Sequence, residues 1–435
     1  MRSAGRTSRE GARRLGRDFW LYFSGQSVSQ LGSSFTAFAL PLLVFNLTHS
    51  ATNLAITTAA TFVPYLLFGL VLGAVVDRVD RRRMMLRTDV ARALVIAVLP
   101  VLSLLAVLEV WQIYIVTFVQ STLGILFSCG EFAAIPALVG EEELVTANAR
   151  IMATNNVGPI LGPASAGALV AFVPAAQLLF FDAASFLVSA GCLAAIRRSF
   201  NAGTAPVGQA GSLARRLLAD VREGLGYVWR QPVLRSISIM MALINFVYAT
   251  ASAELVFFAK RALHASNTEV GFLFACGAAG IVVVSLLAGP IRRHLSFAVT
   301  ALGALVVSGL ALTAMALVHS YPAALVLWGA SCGFGLLLNI NTGALRQAIV
   351  PPQLFGRVAS VAQVLAWSAI PLGSIAGAAA IAASSVSTVY ALIGVLSAAI
   401  ALAFALSPVG KGDRYLAEAA ERRAERLTAT DGVPT

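Results

Sequence analysis

Residues 54–83 read LAITTAATFVPYLLFGLVLGAVVDRVDRRR. Nothing between Leu54 and Val76 is charged. Roughly 20 apolar residues suffice for a helix to cross the hydrocarbon core, so this run reads as one membrane span. Arg78, Arg81, Arg82 and Arg83 follow at once. Lys and Arg gather on the cytoplasmic side of membrane proteins, which gives the span a direction. That rule accounts for the arginines but not for Asp77, so the loop carries more than topology.

The same reading extends in both directions. Of the 435 residues, 58% are hydrophobic and 12% charged, against about a quarter charged in soluble domains. Apolar runs and their breakers predict an all-α membrane protein of twelve transmembrane helices, at about 19–45, 54–76, 88–108, 111–131, 146–173, 177–196, 233–259, 268–289, 297–318, 322–345, 357–383 and 387–407. Ser266 and Glu269 form a capping box that opens the eighth. The run from Phe19 is too long for a cleaved signal and is retained as the first span. With the N-terminus inside, only Lys260 and Arg261 of the 31 basic residues fall outside. Both termini are therefore expected in the cytoplasm, in a bacterial inner membrane. The net charge of +11 flanks hydrophobic segments rather than forming one basic face, which excludes nucleic acid as the partner.

Five segments follow: a tail (1–18), a six-helix bundle (19–196), a linker (197–232), a second bundle (233–407) and a C-terminal tail (408–435). Leu213, Leu217, Val221, Leu225 and Val228 recur at helical spacing in the linker between arginines. This predicts an amphipathic helix on the inner leaflet, with a solvated linker helix as the alternative. The two bundles are weak repeats: His49 corresponds to His264, Gly73 to Gly289, Pro159 to Pro371 and Gly167 to Gly377. Paired six-helix repeats suit a transporter whose halves rock about a central site.

The loop Gly73-Ala-Val-Val-Asp77-Arg78-Val-Asp80-Arg81-Arg82 resembles the signature of the major facilitator superfamily, Gly-x-x-x-Asp-Arg followed by basic residues. Asp80 stands where many members have a second glycine. A carboxylate at this rim accepts charge-assisted bonds from arginine, and such contacts hold one conformation and break in the other. Gly73, Asp77, Arg78, Arg81 and Arg82 are thus the expected conformational latch. In the fifth span, Gly158-x-x-x-Gly162-Pro163-Ala-Ser-Ala166-Gly167 is similar to the antiporter signature of the drug-exporting branch. Its glycines permit close helix approach, while Pro159 and Pro163 bend the helix. The resemblance implies export of an amphipathic compound, often by proton antiport, along a path lined by helices 1, 4, 7 and 10. It departs at Tyr114 to Cys129, which lacks the arginine many proton-coupled exporters carry in helix 4.

Ionisable groups inside a membrane are functional suspects. Asp182 and Glu254 are the candidates for proton coupling. For Asp182 the alternative is a structural acceptor between helices, and for Glu254 an ion pair with Lys260 and Arg261. Asp89, Arg92 and Glu131 are read as a cytoplasmic charge network. Gln26 and Gln30, Gln120, Asn245 and Tyr248, and Trp328 and Asn339 fall on uncharged polar stripes of helices 1, 4, 7 and 10. The stripes are expected to line a cavity suited to a neutral or cationic amphiphile; helices tied by hydrogen bonds would show the same pattern. No nucleotide loop, metal spacing or catalytic constellation is present in the sequence, so no cofactor and no enzyme is expected. The reading is a monomeric secondary exporter of amphipathic, drug-like or natural-product molecules, with protons as its coupling ion and the lipid bilayer as its solvent. The alternatives are a dedicated exporter of one metabolite, such as a siderophore or lipid-like compound, and a non-transporting receptor or sensor.

Overall fold

The computed structural model describes residues 15–76, 79–139, 143–198, 200 and 213–431, and these are helical almost throughout. The first group of helices is α1 (Arg17–Thr48), α2 (Ala51–Val76), α3 (Arg81–Leu104), α4 (Val110–Val139), α5 (Leu144–Leu169) and α6 (Leu179–Ala195). After α7 (Leu213–Arg230) come α8 (Pro232–Ala253), α9 (Leu255–Arg261), α10 (Asn267–His294), α11 (Phe297–Leu317) and α12 (Tyr321–Ile349). The chain continues through α13 (Pro352–Trp367), α14 (Ala369–Ala383), α15 (Val386–Ala405) and α16 (Gly412–Asp431). Ten segments among the described residues are long and apolar enough to cross a membrane. Leu67, Leu286, Leu317, Val326 and Leu402 are exposed on them, as expected of a multi-pass membrane protein whose outer surface meets lipid.

Local chemistry sets the helix ends. Ser266 Oγ accepts from the Glu269 amide at 3.2 Å, while the Ser266 amide donates to Glu269 at 2.7 Å, the reciprocal pair that opens α10. Asp80 caps α3 by accepting from the Arg83 amide at 2.9 Å. That gives a helix-starting role to the residue that departs from the signature loop. The break between α13 and α14 precedes Pro371, whose missing N–H and ring disrupt the turn four residues back at Trp367. No proline accounts for the break at Glu254 between α8 and α9.

The two groups pack by one scheme. α1 lies against α5 and α6, α3 against α4 and α6, and α2 against α4. Likewise α8 lies against α14 and α15, α11 against α12 and α15, and α10 against α12. His49 and His264, matched in the sequence repeat, both take left-handed backbone, with φ of 48° and 52°. Across the groups, α5 packs on α10 and α2 on α14.

The apolar core is asymmetric end to end. At the end away from Arg17, one continuous cluster joins both groups, running from Phe38 and Leu54 through Phe186 to Phe258, Leu312 and Tyr390. At the arginine-bearing end, the groups hold separate clusters, one around Phe19, Met85 and Phe127 and another around Ile237, Phe297 and Leu345. Helix α7 joins the second of these by burying Val228, and it packs on α13 and α8. Its Leu225 and Trp229 remain exposed.

Candidate functional site

A cavity of about 330 Å³ lies inside the first group, walled by α1, α2, α3, α4 and α6. Two charged side chains line it, Arg92 and Asp182. The Arg92 guanidinium sits 4.0 Å from the Phe186 ring centroid and 3.8 Å from Asp89. Asp89 accepts from Ser189 at 2.6 Å, and Ser189 in turn receives Gln26 Nε2 at 2.9 Å. Asp182 accepts from Thr36 at 2.5 Å and Ser33 at 3.3 Å, both on α1. Glu131 accepts from Tyr22 at 2.5 Å. Asp89 and Arg92 pair as expected of a charge network, but Arg92 also lines the cavity. Arg92 is three helical turns into α3, so its guanidinium reaches the cavity. The sequence marked Arg92 only as a member of a charge network; its place over Phe186 in the cavity wall depends on how α3 and α6 pack.

Glu254 occupies the break between α8 and α9 and is 0% exposed. Neither carboxylate oxygen finds a hydrogen-bond partner among the described residues. The alternative ion pair does not form: Lys260 donates to Asn267 at 2.6 Å, and Arg261 lies over the Phe257 ring. Phe258 and Tyr390 stack beside it at 4.4 Å between centroids, and the Tyr390 hydroxyl donates to the Ala251 carbonyl at 2.6 Å.

The glycines of α5 are contact points. A methyl on Gly158 would meet Gln30 at 3.0 Å, and one on Gly162 would overlap Ser34. One on Gly167 would lie 2.7 Å from the Gly271 Cα on α10. From the other side, a methyl on Gly271 would come within 2.9 Å of the Pro163 carbonyl oxygen. Two backbones from different groups thus touch with no side chain between them, at the end where the core is continuous.

A family model described as transmembrane secretion effector matches residues 17–429. The chain belongs to this family of major facilitator superfamily transporters. The chain is 31% identical over 353 residues to the multidrug efflux pump Tap of Mycolicibacterium fortuitum, covering 79% of this chain and 84% of that protein. It is 26% identical over 370 residues to macrolide efflux protein A of Streptococcus pyogenes, covering 83% and 88%. Among solved structures, it resembles a bacterial homologue of the human lysosomal transporter Spinster in an inward-facing, unoccupied conformation. The TM-score is 0.71 at 14% identity, over 94% of this chain and 99% of that one. A POT family transporter in complex with 5-aminolevulinic acid gives a TM-score of 0.73 at 12% identity, over 92% and 97%. At these identities the likeness concerns the fold.

The remaining sequence candidates are scattered. Gln120 lines the cavity. Gln26 bonds α6, Gln30 faces α5, and Asn245 donates to the Ala366 carbonyl of α13 at 3.0 Å. Tyr248 bonds Ser308 and Ser331 within the packing of α8, α11 and α12. Trp328 is buried against Gly277, and Asn339 is exposed with its amide turned to its own helix at Gly335. Most stripe residues therefore join helices rather than line one cavity, because a polar side chain in a membrane takes the nearest partner helix. Of the loop signature, Gly73 lies in α2, while Asp77 and Arg78 lie outside the described residues. Arg82 donates to the Leu193 and Ala194 carbonyls at 2.9 and 2.5 Å, and Arg81 to the Phe200 carbonyl at 3.3 Å. Arg82 thus caps the C-terminal end of α6, where a cation complements the helix dipole, while Arg81 holds the chain beyond it.

Proposed function

We infer that the protein is a secondary active exporter of amphipathic small molecules that works by alternating access and is driven by protons. The observation that carries this reading is the asymmetric core: one cluster closes both groups together at one end, and separate clusters stand at the other. An alternating-access carrier caught with one gate shut has this form. The names of the relatives, multidrug and macrolide efflux, supply the direction and the solute class.

In this reading α3 and α5 cross the membrane as well, α8 with α9 and α13 with α14 each make one crossing, and the total is twelve. The recurring packing scheme and the paired histidines support two six-helix repeats, 19–196 and 233–407. Basic residues put both termini in the cytoplasm, so the shut gate faces outward. Glu254 and Asp182 are the proton-carrying candidates, and Asp77 with its neighbouring arginines the latch. One observation favours the narrower reading of a single-metabolite exporter: a cavity of about 330 Å³ is at the small end for drug-sized ligands.

The test is accumulation of a fluorescent amphipathic dye in a pump-deficient bacterium, with and without a proton uncoupler and with Asp77→Asn as control. Accumulation lowered by the protein and restored by both treatments is the expected result. Unchanged accumulation moves the assignment to the single-metabolite exporter, and absent flux in sealed vesicles despite specific binding points to a receptor.

A further inference from the structure

We propose that the cavity within the first group binds the ammonium end of a solute, with Asp182 as its counter-ion. The proposal deepens the exporter reading and rests on it for its physiological purpose, though not for the binding itself.

Charge balance is the first argument. Asp89, Asp182 and Glu131 all lie within electrostatic reach of Arg92, which is the cation they share. The remaining titratable groups facing the cluster are Tyr65 on α2 and Tyr22 on α1. Arg92 is committed: Asp89 is its ion-pair partner and Phe186 covers its face. Glu131 is turned to Tyr22 and is not part of the cavity wall. Asp182 does line the wall, is 1% exposed, and among the described residues accepts only from the uncharged hydroxyls of Thr36, Ser33 and Ser185. Among the described residues no cation reaches ion-pair distance of it. An ionised carboxylate in such surroundings needs a positive partner.

The second argument comes from the opposite wall and is independent of charge. Thr117 is 6% exposed, lines the cavity from α4, and its hydroxyl has no hydrogen-bond partner among the described residues. One turn on, Gln120 Oε1 is buried and equally unpartnered. Buried polar atoms are nearly always paired, and both of these are oxygens able to accept from a donor. An ammonium has several N–H donors and no acceptor, which matches a carboxylate on one side and two accepting oxygens on the other. Tyr65 lines the cavity and meets Trp367 of the second group at 4.8 Å between centroids. The apolar remainder of an amphipathic amine then rests between the groups, since the cavity holds only its polar end.

The test uses the purified full-length protein and two probes: dansylcadaverine, which carries a primary amine, and the dansyl amide of 5-aminopentanol, which carries a hydroxyl in its place. Fluorescence titration should give the amine at least tenfold tighter binding. Asp182→Asn should abolish that preference, and Thr117→Val and Gln120→Ala should each weaken the amine severalfold. Should Asp182→Asn not fold, protection replaces it: the amine, and not the alcohol, should shield Asp182 from dicyclohexylcarbodiimide, read by mass spectrometry. Equal affinities for the two probes, or no protection by the amine, would overturn the proposal and leave the cluster to protons alone. Dye export in cells is scored separately. Export without amine preference refutes the pocket and keeps the exporter; amine preference without export does the reverse.

Discussion

Glu254 is the residue with the least local justification. A carboxyl group buried without a partner costs about 1–3 kcal/mol relative to a well-packed apolar group, more when ionised. Glu254→Leu is therefore expected to raise the thermal unfolding midpoint in detergent while abolishing uncoupler-sensitive efflux. A lowered midpoint would show that the carboxylate is held by a contact that stabilises the fold. Glu254→Gln should keep efflux of preloaded dye down its gradient but remove its dependence on external pH. Arg82 is the opposite case, since its bonds are on the page. Losing two charge-assisted bonds to the end of α6 at a half-exposed position should cost about 1 kcal/mol, so Arg82→Ala should lower the midpoint slightly. Glu254 was conspicuous in the sequence through its charge alone. Its distance from Lys260 and Arg261 was not legible, because six residues of helix and a turn decide where those side chains go.

At the scale of elements, α5 and α10 meet through bare backbone, and that contact is a place where volume matters more than chemistry. Gly167→Leu forces the two helices apart, and export should fall at least tenfold with normal membrane insertion. Gly303→Ala, which adds a methyl facing open space, should leave export unchanged. Wild-type transport by Gly167→Leu would mean the contact is dispensable to the cycle. The glycine on α5 was visible as part of a motif. Its partner Gly271 was not, since small residues recur along every helix of this kind and only the crossing picks one out. The amphipathic linker was legible from its spacing, and α7 begins at the expected residue. That it docks on α13 through Gly224, whose added methyl would come within 2.9 Å of the Arg357 carbonyl oxygen, was not.

The molecule as a whole is described by which end is joined. If the outward gate must open in each cycle, tying α2 to α14 there should stop it. Ser374 Oγ lies 3.4 Å from the Ala55 carbonyl oxygen across the two groups. In a background without Cys129, Cys192, Cys276 and Cys332, the pair Ala55→Cys and Ser374→Cys should be joined by a short bifunctional thiol reagent. Export should stop on cross-linking and return on reduction. Unimpeded export by the cross-linked protein would rule out opening at this face.

What the sequence determined is what depends on solvent and on near neighbours: membrane residence, the helical spans, their caps, and the family, legible in the loop after Gly73 and in the glycines of α5. Hydrophobic length and charge at helix ends are local quantities, so they survive being read one residue at a time. The tertiary structure decided which polar side chains meet. Arg92 and Asp182 are 90 residues apart by number and come together only because α3 and α6 pack side by side. Tyr248 and Trp328 fell on polar stripes in the sequence, and packing turned them toward neighbouring helices. A helix face has no intrinsic orientation toward a cavity or a neighbour, and the packing of the other helices supplies it.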